Sequence, residues 1–433
     1  MRPSGRLTRL AASFIHIPCG LTTMRSSLQK LVQGLAVSAA LCAIAITGTA
    51  IAAPYVPSSD DEVVERLPSR IGTAEQRQQQ RAARERLRAQ PTQLPLALQL
   101  AREAITRARQ FGDPRELGQA EAALAPWWKL SGPPPAVRLM RATIRQSQHD
   151  FDTALVDLDA LLREGSTAPL PLQAQAELTR ASVLQVRGRW QEAAAGCARL
   201  GGERYAALGS TVQLPAQACL AELASLQGQA DKASAALARL ARQADDDASA
   251  GWLNLVRAEL AERLGDDSAQ ALYRQAMQTP QPDVYTLAAY ADWLLDRGRH
   301  AEVIPLLAGR EDADALLLRL AIARRRNGDP LAAAAIATLA ARFEAAGLRG
   351  DRSHGREQAR FELELKDNAA AALVSAQANW AVQKEPADAL VLVRAAHAAG
   401  QAQAAEPVWR LMRETGLQDA RLTAVAKVSK GTT

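Results

Sequence analysis

Aromatic side chains make up only 4% of this sequence, and histidine occurs five times in 433 residues. So few rings exclude a thick aromatic interior, and sparse β-branched residues argue against a sheet-rich fold. Four histidines lie beyond the first 52 residues, His149, His300, His354 and His397. They are scattered, two of them beside turns, and are not read as a metal site. Absent as well are a phosphate-cradling glycine loop, GxSxG, HExxH and a DxDxDG calcium loop. No enzyme activity, cofactor or metal is therefore expected.

What is abundant is alanine, about one residue in five, with leucine and arginine close behind. That is a helix-forming inventory. The hydrophobic content of 48% is enough for a core, but much of it is alanine, which suits helices packed at short range. The formal charge of +6 and pI near 9.3 suggest at first a binder of nucleic acid or anionic membrane. Five of the basic residues, Arg2, Arg6, Arg9, Arg25 and Lys30, precede residue 53 with no acidic residue among them. Beyond that point 47 basic residues face 46 acidic ones. No basic stripe with interleaved aromatics remains, and nucleic acid is not an expected partner.

The same N-terminal stretch reads as an export signal, with its start at Met1 or at Met24. Arg25 and Lys30 supply a positive segment, an apolar run covers 31–46, and Ala50-Ile51-Ala52 supplies the small residues that a signal peptidase needs. Cleavage is expected before Ala53, leaving a periplasmic or secreted chain. The apolar run falls short of the roughly 20 residues that span a bilayer, so no stable membrane span is expected. Two cysteines remain, Cys197 and Cys219. In an oxidising compartment they can form a disulfide, or they can stand as two small buried hydrophobes.

Residues 53–93 form a polar linker in which AEQRQQQRAARERLRAQ can make a charged helix. From 94 to 415 a turn signal, usually glycine followed by a polar residue, recurs every 30 to 40 residues. It falls at Gly112, His149, Gly188, Gly228, Gly265, Gly298, Gly328, Lys366 and Gly400. Such a period marks a helical-repeat array of about nine units. Seven residues before the turn stand Ala142, Ala181, Ala221, Ala258, Ala291, Ala321 and Ala359, with Ile105 and Val393 in the end units. Five residues after it come Ala154, Ala193, Ala233, Ala333, Ala371 and Ala405, with Leu117, Val303 and a slipped Ala269 or Ala271. Leu158, Cys197, Leu237, Leu307 and Trp409 follow at four-residue spacing, and Leu161, Leu200, Leu240 and Met412 three residues later. One helical face is thereby predicted to be buried. Helices are expected at 282–297 and 299–309, at 311–327 and 329–347, and as a cap at 417–429 within a C-terminal segment 416–433.

RGRWQEA and ALYRQAMQTP resemble the turn, second helix and closing proline of tetratricopeptide repeats. The resemblance implies an all-α, right-handed superhelical solenoid of antiparallel helix pairs whose inner surface holds a partner protein or peptide. It places the residues six before each turn inward: Ser182, Glu222, Glu259, Asp292, Ile322, Arg360 and Arg394. The middle units then offer an acidic strip, extended by Glu262 and Asp296, and the later ones offer Arg325, Arg326, Arg360 and Arg394. Trp252 and Tyr285 are candidate anchors for a partner, with packing between helices as the other role open to them. The Lys and Asn set with which the family clamps a C-terminal carboxylate is not found.

The function expected is a non-catalytic scaffold or assembly factor in the cell envelope. Two alternatives stand beside it. One is an envelope-associated or peptidoglycan-directed enzyme with a site hidden in the repeats. The other is self-association through Trp127 and Trp128.

Overall fold

The structure, a computed structural model, describes Ser59 and residues 73–163, 166–279, 281–348 and 355–431. The expected signal and its cleavage point lie outside the described residues. The chain divides into a small unit, 19–77, and a large one, 1–18 with 78–433. In the small unit Thr73 and Gln76 exchange hydrogen bonds of 2.8 and 3.1 Å at the start of a helix. Apart from the first turn of the helix Ala74–Ala89, all that follows concerns the large unit from Gln78 onward.

All regular structure among the described residues is helical. The charged stretch before Pro91 is a helix, Ala74–Ala89, with Ala83 and Leu87 buried. Nine antiparallel pairs follow among the described residues. They are Leu94–Phe111 with Arg115–Ala123, Pro135–Ser147 with Phe151–Leu162, Leu170–Val186 with Trp190–Leu200, and Ser210–Leu226 with Ala230–Arg242. Asp247–Leu264 pairs with Ala269–Ala276, Val284–Asp296 with His300–Leu307, and Asp314–Arg326 with Ala332–Leu348. Gly355–Glu364 pairs with Ala369–Val382, Pro386–Ala398 pairs with Glu406–Thr415, and a last helix runs Ala420–Gly431. Several first helices are fixed at their N-termini by side chains. Asp246 accepts from the Ser249 amide, Asp283 from the Thr286 amide, and Glu385 with Asp388 forms a reciprocal cap.

Each pair turns through one residue of positive φ, between 51° and 78°. Seven of these are glycine, which adopts that conformation without the cost a Cβ brings. His149 takes it at φ 59°, its ring stacked on Phe151 at 4.9 Å. In the eighth unit the turn residue is Asp367, one later than the expected Lys366.

The aligned alanines are the contact line between helices. Ala142, Ala181, Ala221, Ala258, Ala291, Ala321 and Ala359 are all at most 6% exposed, and Ile105 and Val393 are each 3% exposed. On the second helices Ala154, Ala193, Ala233, Ala269 and Ala405 are buried. Two positions depart from the expected register. Ala333 is exposed and Ala335 takes its place, while Ala371 is only half-buried beside a fully buried Ala372. In the seventh unit the inward face of the second helix, Ala332–Leu348, is carried by Ala335 and Leu339, two positions later than the expected register. A direct check compares Ala335→Leu with Ala333→Leu. The first overpacks the helix interface and should cost about 1–3 kcal/mol, while the second should stay within about 0.5 kcal/mol of wild type in urea unfolding.

The array also returns upon itself. The Lys384 amide donates to the Val186 carbonyl at 2.8 Å, joining residues almost two hundred positions apart. Gln383, fully buried, lies against the His149 ring. A Cβ placed on Gly112 would sit 3.1 Å from Ala313 Cβ, one on Gly228 would sit 3.2 Å from the Gly416 carbonyl oxygen, and one on Gly265 would sit 3.3 Å from Ala420 Cβ. At Gly298, Gly328 and Gly400 nothing lies within 4 Å. The turn edge of the first five pairs is therefore covered by the connections of the later ones, while the glycine turns of the later pairs are open.

Candidate functional site: the charged interior

The inner faces of the array line a partly open cavity of about 170 Å³. The first helices of pairs four to six bring Glu222, Glu259, Glu262, Tyr285, Asp292 and Asp296 to its wall. Those of pairs seven to nine bring Arg319, Arg356, Arg360 and Arg394, and the final helix adds Arg421. An acidic arc thus faces a basic arc across the interior. Three candidate residues stand outside it. Trp252 is half-buried against the apolar core of the fourth and fifth pairs. Arg325 pairs with Asp367, and Arg326 with Glu364 at 2.7 Å.

The two arcs are extensively ion-paired. Asp292 receives Arg319 at 2.6 Å and Arg360 at 2.7 Å. Burial works against its charge, but the two guanidiniums outweigh burial and hold the carboxyl at about 2. Asp296 receives Arg394 at 3.0 Å, and Glu262 receives Arg421 at 2.8 Å together with the Tyr273 hydroxyl. Arg356 reaches Glu385 at 3.2 Å and Asp388 at 3.5 Å. Buried pairs of this kind cost desolvation on both sides and are weak evidence of net stability, but loss of one partner is expensive.

Glu222 and Glu259 lie on the same acidic arc and are held differently. Glu259 accepts only the Tyr285 hydroxyl, at 2.6 Å, and Glu222 only the Gln185 amide, at 2.6 Å. No cation is within ion-pair distance of either among the described residues. Burial pushes Glu222 upward, and burial with its acidic neighbours outweighs the Tyr285 hydrogen bond to push Glu259 up to about 7. The folded state therefore holds a proton at Glu259 that the unfolded chain has released. Stability from this group is present below its ordinary value near 4.5 and is lost as pH rises through about 7. Glu259→Gln should remove that loss. Relative to wild type, the variant should gain on the order of 2 kcal/mol between pH 5 and pH 8, and a constant offset across that range would contradict the assignment.

The sequence pattern did not single out Arg263, Arg319, Arg356, Lys384, Glu385 and Arg421, all of which line the interior. Arg319 and Arg356 sit one helical turn before residues already placed inward, so the same face at three- and four-residue spacing carries them. Lys384, Glu385 and Arg421 arrive through the closure of the array, for which no local pattern exists.

Cys197 and Cys219 lie on helices of successive pairs, their Cα atoms 6.1 Å apart and their sulfurs joined. His149, His300 and His397 lie apart from the cavity wall, His354 lies outside the described residues, and no group of three or more metal-ligating side chains occurs among the described residues. No described helix is long and apolar enough to cross a membrane.

No family model and no curated protein matches the sequence. Among solved structures the chain is similar to the crystal structure of the P58(IPK) TPR domain, at 16% identity. The match covers 71% of this chain and 98% of that one, with a TM-score of 0.18. Superposition that loose carries no argument about function, so the assignment rests on the chain's own helices, turns and buried alanine line: it is an all-α, TPR-like array of antiparallel helix pairs.

Proposed function

We propose that this chain is an exported, non-catalytic protein-binding scaffold of the cell envelope. The observation that carries the reading is the array itself. Nine stacked pairs present an extended surface, and the charged groups they turn inward are arranged as carboxylate–guanidinium pairs, not as a nucleophile with a base and an oxyanion donor. The export motif supports the location, as does a Cys197–Cys219 bridge, because disulfides persist outside the reducing cytosol.

Affinity capture from a periplasmic fraction, using residues 53–433, tests the binding claim. A discrete protein retained in stoichiometric amount supports it, and repeated capture of nothing contradicts it. N-terminal sequencing of the native protein tests export, with Ala53 as the expected first residue. Peptide mapping of the same sample without reductant should recover a 197–219 linked peptide. An intact Met1 or Met24 terminus on a cytosolic protein in which Cys197 and Cys219 are both free thiols would sink the envelope assignment.

A further inference from the structure

Of the five carboxylates on the acidic arc, Asp292 is held by Arg319 and Arg360, Glu262 and Asp296 are each met by one arginine, and Glu222 and Glu259 have none within ion-pair distance among the described residues. Glu262 and Asp296 are met by Arg421 and Arg394, which come from the last helices, across 159 and 98 residues of sequence. One helical turn or one repeat away, Glu222 and Glu259 face the same cavity and receive only neutral donors. Space is left beside them, and the wall opposite is partly apolar, with Pro386, Ala387, Leu390 and Val391 of the helix Pro386–Ala398. The last helices therefore sit on the acidic arc like a ligand that takes two of its five carboxylates and leaves Glu222 and Glu259 to neutral donors.

We infer that the acidic arc formed by Glu222, Glu259, Glu262 and Asp296 is a docking surface for a basic helical segment of a partner protein, and that the chain's own last helices occupy it in cis. The inference rests on the protein-binding reading above and names the class of partner. A helix is the expected form because a helix already sits there, and arginine or lysine is the expected chemistry because the two satisfied carboxylates are met by guanidinium. A partner that also delivers cations to Glu222 and Glu259 has an interaction the cis segment lacks, and this is what lets it compete. Arg394 and Arg421 must release Asp296 and Glu262 before a partner can take them, so the cis contacts set the affinity a partner sees.

The test uses the full chain and two labelled probes, the peptide 386–424 as it stands and the same peptide carrying Leu390→Lys. The receptor is the chain with Arg394→Ala and Arg421→Ala, which loosens the cis contacts. Arg394→Ala alone replaces it if the double variant loses the wild-type helical circular dichroism. A third receptor carries Gly265→Cys and Ala420→Cys, oxidised to hold the closure shut.

Both probes should bind the loosened chain at least tenfold more tightly than wild type, and neither should bind the locked one. The lysine probe should bind at least tenfold more tightly than the native peptide, and that advantage should vanish with Glu222→Gln and Glu259→Gln. Failure of both probes to bind the loosened chain overturns the inference, and so does equal binding to the locked chain. If the locked chain still retains the protein captured from the periplasm, the scaffold reading stands and this docking surface falls.

Discussion

Replacement of Asp292 by alanine should lower the unfolding free energy by about 3–5 kcal/mol, the range seen when one partner of a buried ion pair is removed. Its two oxygens hold different arginines, Arg319 at 2.6 Å and Arg360 at 2.7 Å, brought from the seventh and eighth pairs. Arg319 is 4% exposed and Arg360 7%. Without Asp292, Arg360 keeps Glu364 at 2.8 Å, but Arg319 keeps only the Ala315 carbonyl at 2.8 Å and a distant Glu357 at 3.9 Å. A buried guanidinium is left almost uncompensated.

The pH dependence carries the same signature with its sign fixed. The Asp292 carboxyl lies at about 2, below its ordinary 3.8, so its contribution is complete above 3.8 and disappears as pH falls toward 2. Urea unfolding at pH 7 and pH 2 should therefore show a large gap between wild type and Asp292→Ala that narrows in acid. A gap of less than 1 kcal/mol at pH 7 would mean that the arginines find other partners.

The second large effect concerns the covered turns. Gly228→Val places a β-branched residue at φ 78° and drives its Cβ to 3.2 Å from the Gly416 carbonyl oxygen. Gly298→Val meets the same conformational demand at φ 69° with nothing within 4 Å. The left-handed conformation alone costs both variants about 1–2 kcal/mol. Gly228→Val should lose a further 1–3 kcal/mol or so, because backbone on the far side of the closure must give way. Equal destabilisation of the two variants in urea unfolding would show that the edges do not meet in solution.

Helix pairing was legible from composition and spacing because it is local. A glycine turn, an alanine seven residues before it and an apolar residue every three or four positions lie within one unit, and the buried line from Ala142 to Ala359 follows that reading. The register failed in the second helix of the seventh unit, where Ala335 takes the place expected of Ala333, and where an acidic residue took the place of glycine, as at Asp367. The inward charges were legible in part for the same reason. Glu259 and Asp292 occupy the position six before the turn, and the acidic middle and basic later units were visible as such. What no single unit could show is that the two stretches face each other. Lys384 meeting Val186, and Arg421 meeting Glu262, depend on how all the pairs that lie between them in sequence are stacked. A few degrees per unit, invisible in any one repeat, decide whether the groove is open or filled by its own chain.

That closure is the feature on which the rest depends, and a cysteine pair tests it most directly. Gly265 and Ala420 are 155 positions apart, and a Cβ on Gly265 would stand 3.3 Å from Ala420 Cβ, within a few tenths of an ångström of the roughly 3.5–4.5 Å that a disulfide spans. With Gly265→Cys and Ala420→Cys in the otherwise native chain, mild oxidation of the folded protein should give a 265–420 linked peptide in near-complete yield by mass spectrometry. If both new thiols instead remain free and alkylate rapidly while the helical circular dichroism is intact, the array is open in solution and its acidic arc is not held by its own C-terminal helices.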